Sequence, residues 1–70
     1  MKYTKTFTTF YDGDTYAQWA NPKAKDNCTA LEVKDPSGKV VWTGSRKHCM
    51  YNTAPTRKQF LRDQAKAAGF

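Results

Sequence analysis

Seventy residues with a formal net charge of +6 make one domain with a small core, because a chain of this size buries only about 60% of the surface its unfolded form exposes. Such a fold has no packing to give up to a large enclosed substrate cavity, so a surface-acting role is favoured over a deep active site. No apolar run approaches the roughly 20 residues that cross a bilayer, and the opening MKYTKTFTTF lacks the uninterrupted apolar stretch of a signal peptide. This composition points to a cytoplasmic protein without membrane contact, with Cys28 and Cys49 as thiols.

The first segment, KYTKTFTTFY, is rich in Thr and aromatics and predicts a strand, with Tyr3, Phe7 and Tyr11 on one side and Thr4, Thr6 and Thr8 on the other. Asp12-Gly13-Asp14 is a turn signal. If Asp14 caps a helix, Tyr16, Trp19 and Ala20 fall at i, i+3 and i+4 on a short element ended by Asn21-Pro22. We prefer that helix over residues 14–20 to a returning strand, which would be the fourth of the sheet. NPKAKDN follows as a polar loop.

Ala30–Lys34 and Lys39–Thr43 flank Asp35-Pro36-Ser37-Gly38, a turn former at every position, and predict a β-hairpin. Two signals contest its register. Turn chemistry asks for a type I turn at Pro36-Ser37 with Gly38 left-handed, which sets Asp35 opposite Lys39 and Val33 opposite Val41. The apolar pattern would rather group Leu31, Val33, Val40 and Trp42 on one face. Because Asp35 precedes proline, which disfavours the α conformation that a longer loop needs there, the bulged turn is adopted. Trp42 then lies beside Lys34 on the face away from Leu31, as an exposed stacking residue.

Residues 45–55 read as an irregular or partly extended connection. Thr56-Arg57-Lys58-Gln59 has the form of a capping box and starts a helix over 57–68. Gly69 is placed to end it in a left-handed conformation, with Phe70 folded back toward Ala65. Leu61, Ala65 and Ala68 form the inward stripe, with Phe60 at its margin. His48 reads as a solvent-facing neighbour of a buried Cys49. The expected fold is therefore α+β: a small antiparallel sheet of three strands, or four, with a central hairpin, packed by the C-terminal helix, plus a short helix after the first strand.

Residues 39–66 carry seven cations against the single acid Asp63, which equals the whole formal excess of the chain. Lys58, Arg62 and Lys66 recur every four residues and share one helix face, about 6 Å apart. Arg57 and Lys58 fall in the expected first turn, where the helix dipole opposes cations. Arg46, Lys47, Arg57, Lys58, Arg62 and Lys66 form the expected phosphate-binding surface, with Trp42 or Tyr51 stacking on a base.

Other chemistry finds no constellation. Cys28, His48 and Cys49 lack the spacing of a zinc site, and adjacent His48 and Cys49 point to opposite sides of an extended chain. Asp12 and Asp14 are explained by their turn, and no glycine loop for phosphate is present. Neither the GxxG loop nor the glycine-aromatic signature of common RNA-binding modules occurs. The sequence thus points to a non-enzymatic binding domain without metal or cofactor, engaging a polyanion, nucleic acid first, through the 46–66 surface. The alternative is a small regulator or inhibitor that docks on an acidic surface of a larger protein.

Overall fold

The computed structural model describes residues 2–13, 18–19, 23, 26–49 and 52–70. Three strands, β1 (Thr4–Phe10), β2 (Cys28–Lys34) and β3 (Val40–Lys47), form an antiparallel sheet in the order β1-β2-β3. One helix, α1 (Ala54–Ala67), packs on one face of it. No described helix is long and apolar enough to cross a membrane. The expected short helix, or alternative fourth strand, falls on residues 14–20, most of which lie outside the described residues.

Register fixes which side chains meet the helix. Lys5, Phe7 and Thr9 of β1 pair with Val33, Leu31 and Thr29, which pair in turn with Trp42, Gly44 and Arg46. Leu31 and Val33 on this face are buried together with Leu61 and Ala65 of α1, and Tyr3, Phe7, Val41, Trp42, Phe60 and Phe70 close around them. Burying Leu61 alone contributes about 1.5–3 kcal/mol. The opposite face carries Thr4, Thr6, Thr8, Glu32, Lys34, Thr43 and Ser45, and a shallow hollow lies where the small Ala30 leaves space between the threonines.

The hairpin satisfies both of its competing signals. At the turn, the Gly38 amide donates to the Asp35 carbonyl at 2.9 Å, the Asp35 amide to the Lys39 carbonyl at 2.9 Å, and Gly38 has φ +91°. Asp35 thus faces Lys39 as turn chemistry requires. Its Oδ1 accepts from the Ser37 amide at 2.9 Å, the Ser37 hydroxyl at 2.6 Å and the Lys39 amide at 2.9 Å. The register then shifts between Val33 and Lys34, so that Val33 lies opposite Trp42, where the turn alone had implied Val41. This second bulge lets Val41 and Trp42, consecutive in sequence, both pack against the core. Trp42 is consequently on the Leu31 side, and the expected exposed position beside Lys34 is corrected. Its indole lies over Gly44, the residue two positions on along the same face.

Strand β3 continues through Lys47, so the connection from residue 45 is extended at its start and Arg46 and Lys47 belong to the sheet. The helix also starts earlier than the capping-box reading places it. Thr53 is its N-cap and Pro55 sits in the first turn, where a fixed φ and a missing N–H cost nothing. Gln59 reaches forward to donate to Asp63 at 2.9 Å instead of back to Thr56. Arg57 stands one helical turn before Leu61 and shares the inward stripe with Leu61 and Ala65, while Ala68 becomes an exposed C-cap. The far end closes as the sequence suggests. Gly69 has φ +99°, its amide donates to Lys66, and the Phe70 amide donates to the Ala65 carbonyl at 2.9 Å, which completes a Schellman motif. The Phe70 ring meets Tyr3 edge-on at 5.1 Å between centroids.

Two outcomes are expected. A Cβ at Gly44 would lie 2.5 Å from the indole Cη2 of Trp42, so Gly44→Val should displace that ring and cost about 1–3 kcal/mol. The check is a red-shifted Trp42 emission in a Trp19→Phe background, together with a lower urea midpoint. The bonds from Ser37 and Lys39 hold the Asp35 carboxyl below its ordinary pKa of 3.8. A folded value lower than the unfolded one stabilises above that pH and fades as pH falls through the folded value. Asp35→Ala should therefore flatten part of the acid limb of a pH-stability profile.

Candidate functional site

The residues of the expected basic surface do not form one surface. Arg57 is 2% exposed and takes a structural place between the sheet and the helix. Its Nε donates to the Thr29 hydroxyl at 2.9 Å, and one terminal nitrogen meets His48 Nδ1 at 3.0 Å and the Asn52 carbonyl at 3.2 Å. An arginine only donates, so Nδ1 of His48 is the acceptor and its ring proton resides on Nε2. None of these three partners is an acid. The positive charge is held by neutral dipoles, which the weak hydration of a guanidinium makes tolerable where an ammonium would not be.

This polar network occupies one end of the core. Asn27 is also fully buried there. Its Oδ1 accepts from the Asp12 amide at 2.7 Å, its Nδ2 donates to the Gly13 carbonyl at 3.1 Å, and its carbonyl accepts from the His48 amide. The ends of β1, β2 and β3 are thereby tied together. Asn27 and Asn52 looked like ordinary polar loop residues, and nothing in their sequence context marks them as buried. His48 and Cys49 exchange their expected roles, with His48 half-buried against Arg57 and Cys49 exposed. Cys28 is buried in β2.

Lys47 lies on the sheet face away from the helix, where it pairs with Asp12 at 3.2 Å. Arg46 lies on the helix side but along the β3 flank, its guanidinium 4.1 Å from the centroid of Phe60. Tyr51 is outside the described residues. Trp42 is half-buried and lines a shallow hollow with Gln64, Ala67 and Ala68.

Three of the expected residues remain together. Lys58, Arg62 and Lys66 run along the flank of α1 that faces the edge strand β1. Arg62 lies over the Phe7 ring at 5.0 Å and Lys58 over the same ring at 5.9 Å. Lys5, two residues before Phe7 on the same face of β1, adds a fourth cation to this side. Neither of the two ion pairs formed between described residues, Lys34–Glu32 and Lys47–Asp12, involves this row. The sequence signal that finds the row is its spacing of four, and the signal it lacks is any hint that Phe7 underlies it.

Arg57→Met should destabilise the fold by about 2–4 kcal/mol, because Thr29, His48 and Asn52 lose a shared donor in a buried setting. Arg57→Lys should recover part of that, since an ammonium cannot span all three acceptors. Urea unfolding followed by circular dichroism checks both, and a Met variant as stable as the parent would contradict the role given to Arg57.

Comparison of the chain with protein-family models, with characterised proteins and with solved structures gives no match.

Proposed function

We propose that this chain is a small, non-enzymatic binding domain that engages nucleic acid in the cytoplasm, through the flank formed by Lys58, Arg62 and Lys66 with Lys5 and Phe7. The observation that carries this reading is the stacking of Arg62 and Lys58 on Phe7 with no carboxylate among the described residues drawn into either contact. A cation held by an acid is already satisfied. One held by an aromatic face keeps its N–H edges directed outward, where a phosphate can accept them at little cost in side-chain ordering. Like charges repeated at i, i+4 weaken an isolated helix by a few tenths of a kcal/mol per pair, and a polyanion reverses the sign of that cost.

A second reading has its own observation. Trp19 is 83% exposed, and Trp42 lines a hollow with Gln64, Ala67 and Ala68; two such aromatic features also suit a regulator that docks on another protein. Salt separates the two. Phosphate contacts make affinity fall steeply as salt rises, whereas an interface anchored on aromatics depends on salt far less.

Fluorescence anisotropy with labelled DNA and RNA between about 50 and 200 mM salt should show a loss of one or more orders of magnitude in affinity. Replacing Lys58, Arg62 and Lys66 together by Ala should reduce the slope of log K against log salt by about 2–3. Absence of binding to any nucleic acid at about 50 mM salt would overturn the nucleic-acid reading in favour of the regulator.

A further inference from the structure

We infer that the ligand of the basic flank is a single-stranded nucleic acid and that Tyr11 stacks on one of its bases. The inference rests on the proposed function and adds to it the strandedness of the ligand and a residue outside the basic row.

The position of Tyr11 follows from the pleat. Phe7 and Thr9 lie on the helix side of β1, opposite Leu31 and Thr29, which the helix covers. Phe10 lies on the other side, in the same cross-strand row as Cys28 and Lys47. Asp12 pairs with that Lys47, so the alternation runs on past the end of the strand and leaves Tyr11 on the side of Phe7. It stands about 13 Å beyond Phe7 along the chain at roughly 3.3 Å per residue.

The helix runs alongside in the opposite direction. Its first turns sit at Thr29, through Arg57, and its far end reaches Tyr3, through Phe70. The row from Lys66 to Lys58, about 12 Å long, therefore points toward the Tyr11 end of β1. A backbone whose phosphates follow the cations is led to this ring.

Tyr11 is also the aromatic of this row that is left to act. Tyr3 is engaged with Phe70, and Phe7 lies under Lys58 and Arg62, whereas Tyr11 is 46% exposed and joins none of the ring contacts between described residues. Its backbone is nevertheless fixed on both sides. The Phe10 carbonyl accepts from the Asn27 amide at 3.1 Å, and the Asp12 amide donates to Asn27 Oδ1 at 2.7 Å. A ring presented from a held backbone loses little freedom when a base stacks on it. In a duplex the base faces are covered by their neighbours, while a single strand can turn them outward.

The test uses the intact chain and one mixed-sequence oligonucleotide, offered as single-stranded DNA, as single-stranded RNA and as a duplex at the same salt. The expected result is tighter binding of a single strand than of the duplex. Tyr11→Ala should weaken single-strand binding about 5- to 100-fold with an unchanged salt slope and an unchanged circular dichroism spectrum, and Tyr11→Phe should retain it. If the duplex binds as tightly, or Tyr11→Ala has no effect, while the Lys58, Arg62 and Lys66 substitutions still remove binding, the inference fails and the proposed function stands. If none of the three forms binds, both fail.

Discussion

The guanidinium of Arg57 is the contact on which the arrangement of the whole molecule turns. It reaches β2 through Thr29, the segment after β3 through His48, and the start of the helix through Asn52. Thr29 is distant along the chain from the other two, and there is little apolar surface to hold β2 to them at this end. The apolar half of the core lies at the other end, among Leu31, Val33, Leu61 and Ala65. A domain this small cannot make a second apolar cluster, so a planar cation with several donors supplies the fixed distances instead. A lysine has a single nitrogen, which cannot stand both where Nε meets Thr29 and where the terminal nitrogen meets His48 and Asn52, so at least one acceptor would lose its partner.

Placing that charge inside also shapes the surface. With acceptors that are neutral, the cation is not cancelled locally, and its field reaches the exterior through protein that screens less than water does. Its neighbour Lys58, and Arg62 one turn further along α1, emerge over Phe7. The buried and exposed cations thus act in the same direction on an approaching anion, although only the exposed ones touch it. The cations of β3 are handled differently, Lys47 by an acid and Arg46 by the Phe60 ring on the opposite flank of the helix.

How much of this the sequence discloses depends on how local the cause is. The turn at Asp35–Gly38 and the helix stop at Gly69 were legible because each rests on a few adjacent residues with restricted backbone preferences. The hairpin register was half legible. Turn chemistry and apolar pattern disagreed because each was right over part of the ladder, and a bulge at Val41 reconciles them. The N-cap was misread because Thr56 and Gln59 have the right spacing, yet Pro55 upstream carries the helix back to Thr53. Arg57 was misassigned to the surface because its charge outweighed its spacing, although it stands four residues before Leu61 and eight before Ala65 on the same face. The row at 58, 62 and 66 was legible from spacing alone, whereas its seat on Phe7 depends on a contact across some fifty positions of sequence that no periodicity reveals.

The interruption of β3 at Val41 leaves the outer margins of the sheet unequal. A bulge adds twist and takes residues out of step with a straight neighbour, so the β3 margin is a poor template for an incoming chain. The β1 margin is a regular run of seven residues, in step with β2 at every position and without proline. Within the strand itself Lys5 is the one charge that stands against self-association. Fibrous or ladder-like growth of this protein at high concentration would therefore begin from its Thr-rich side, and a second lysine at Thr6 or Thr8 is the natural way to suppress it.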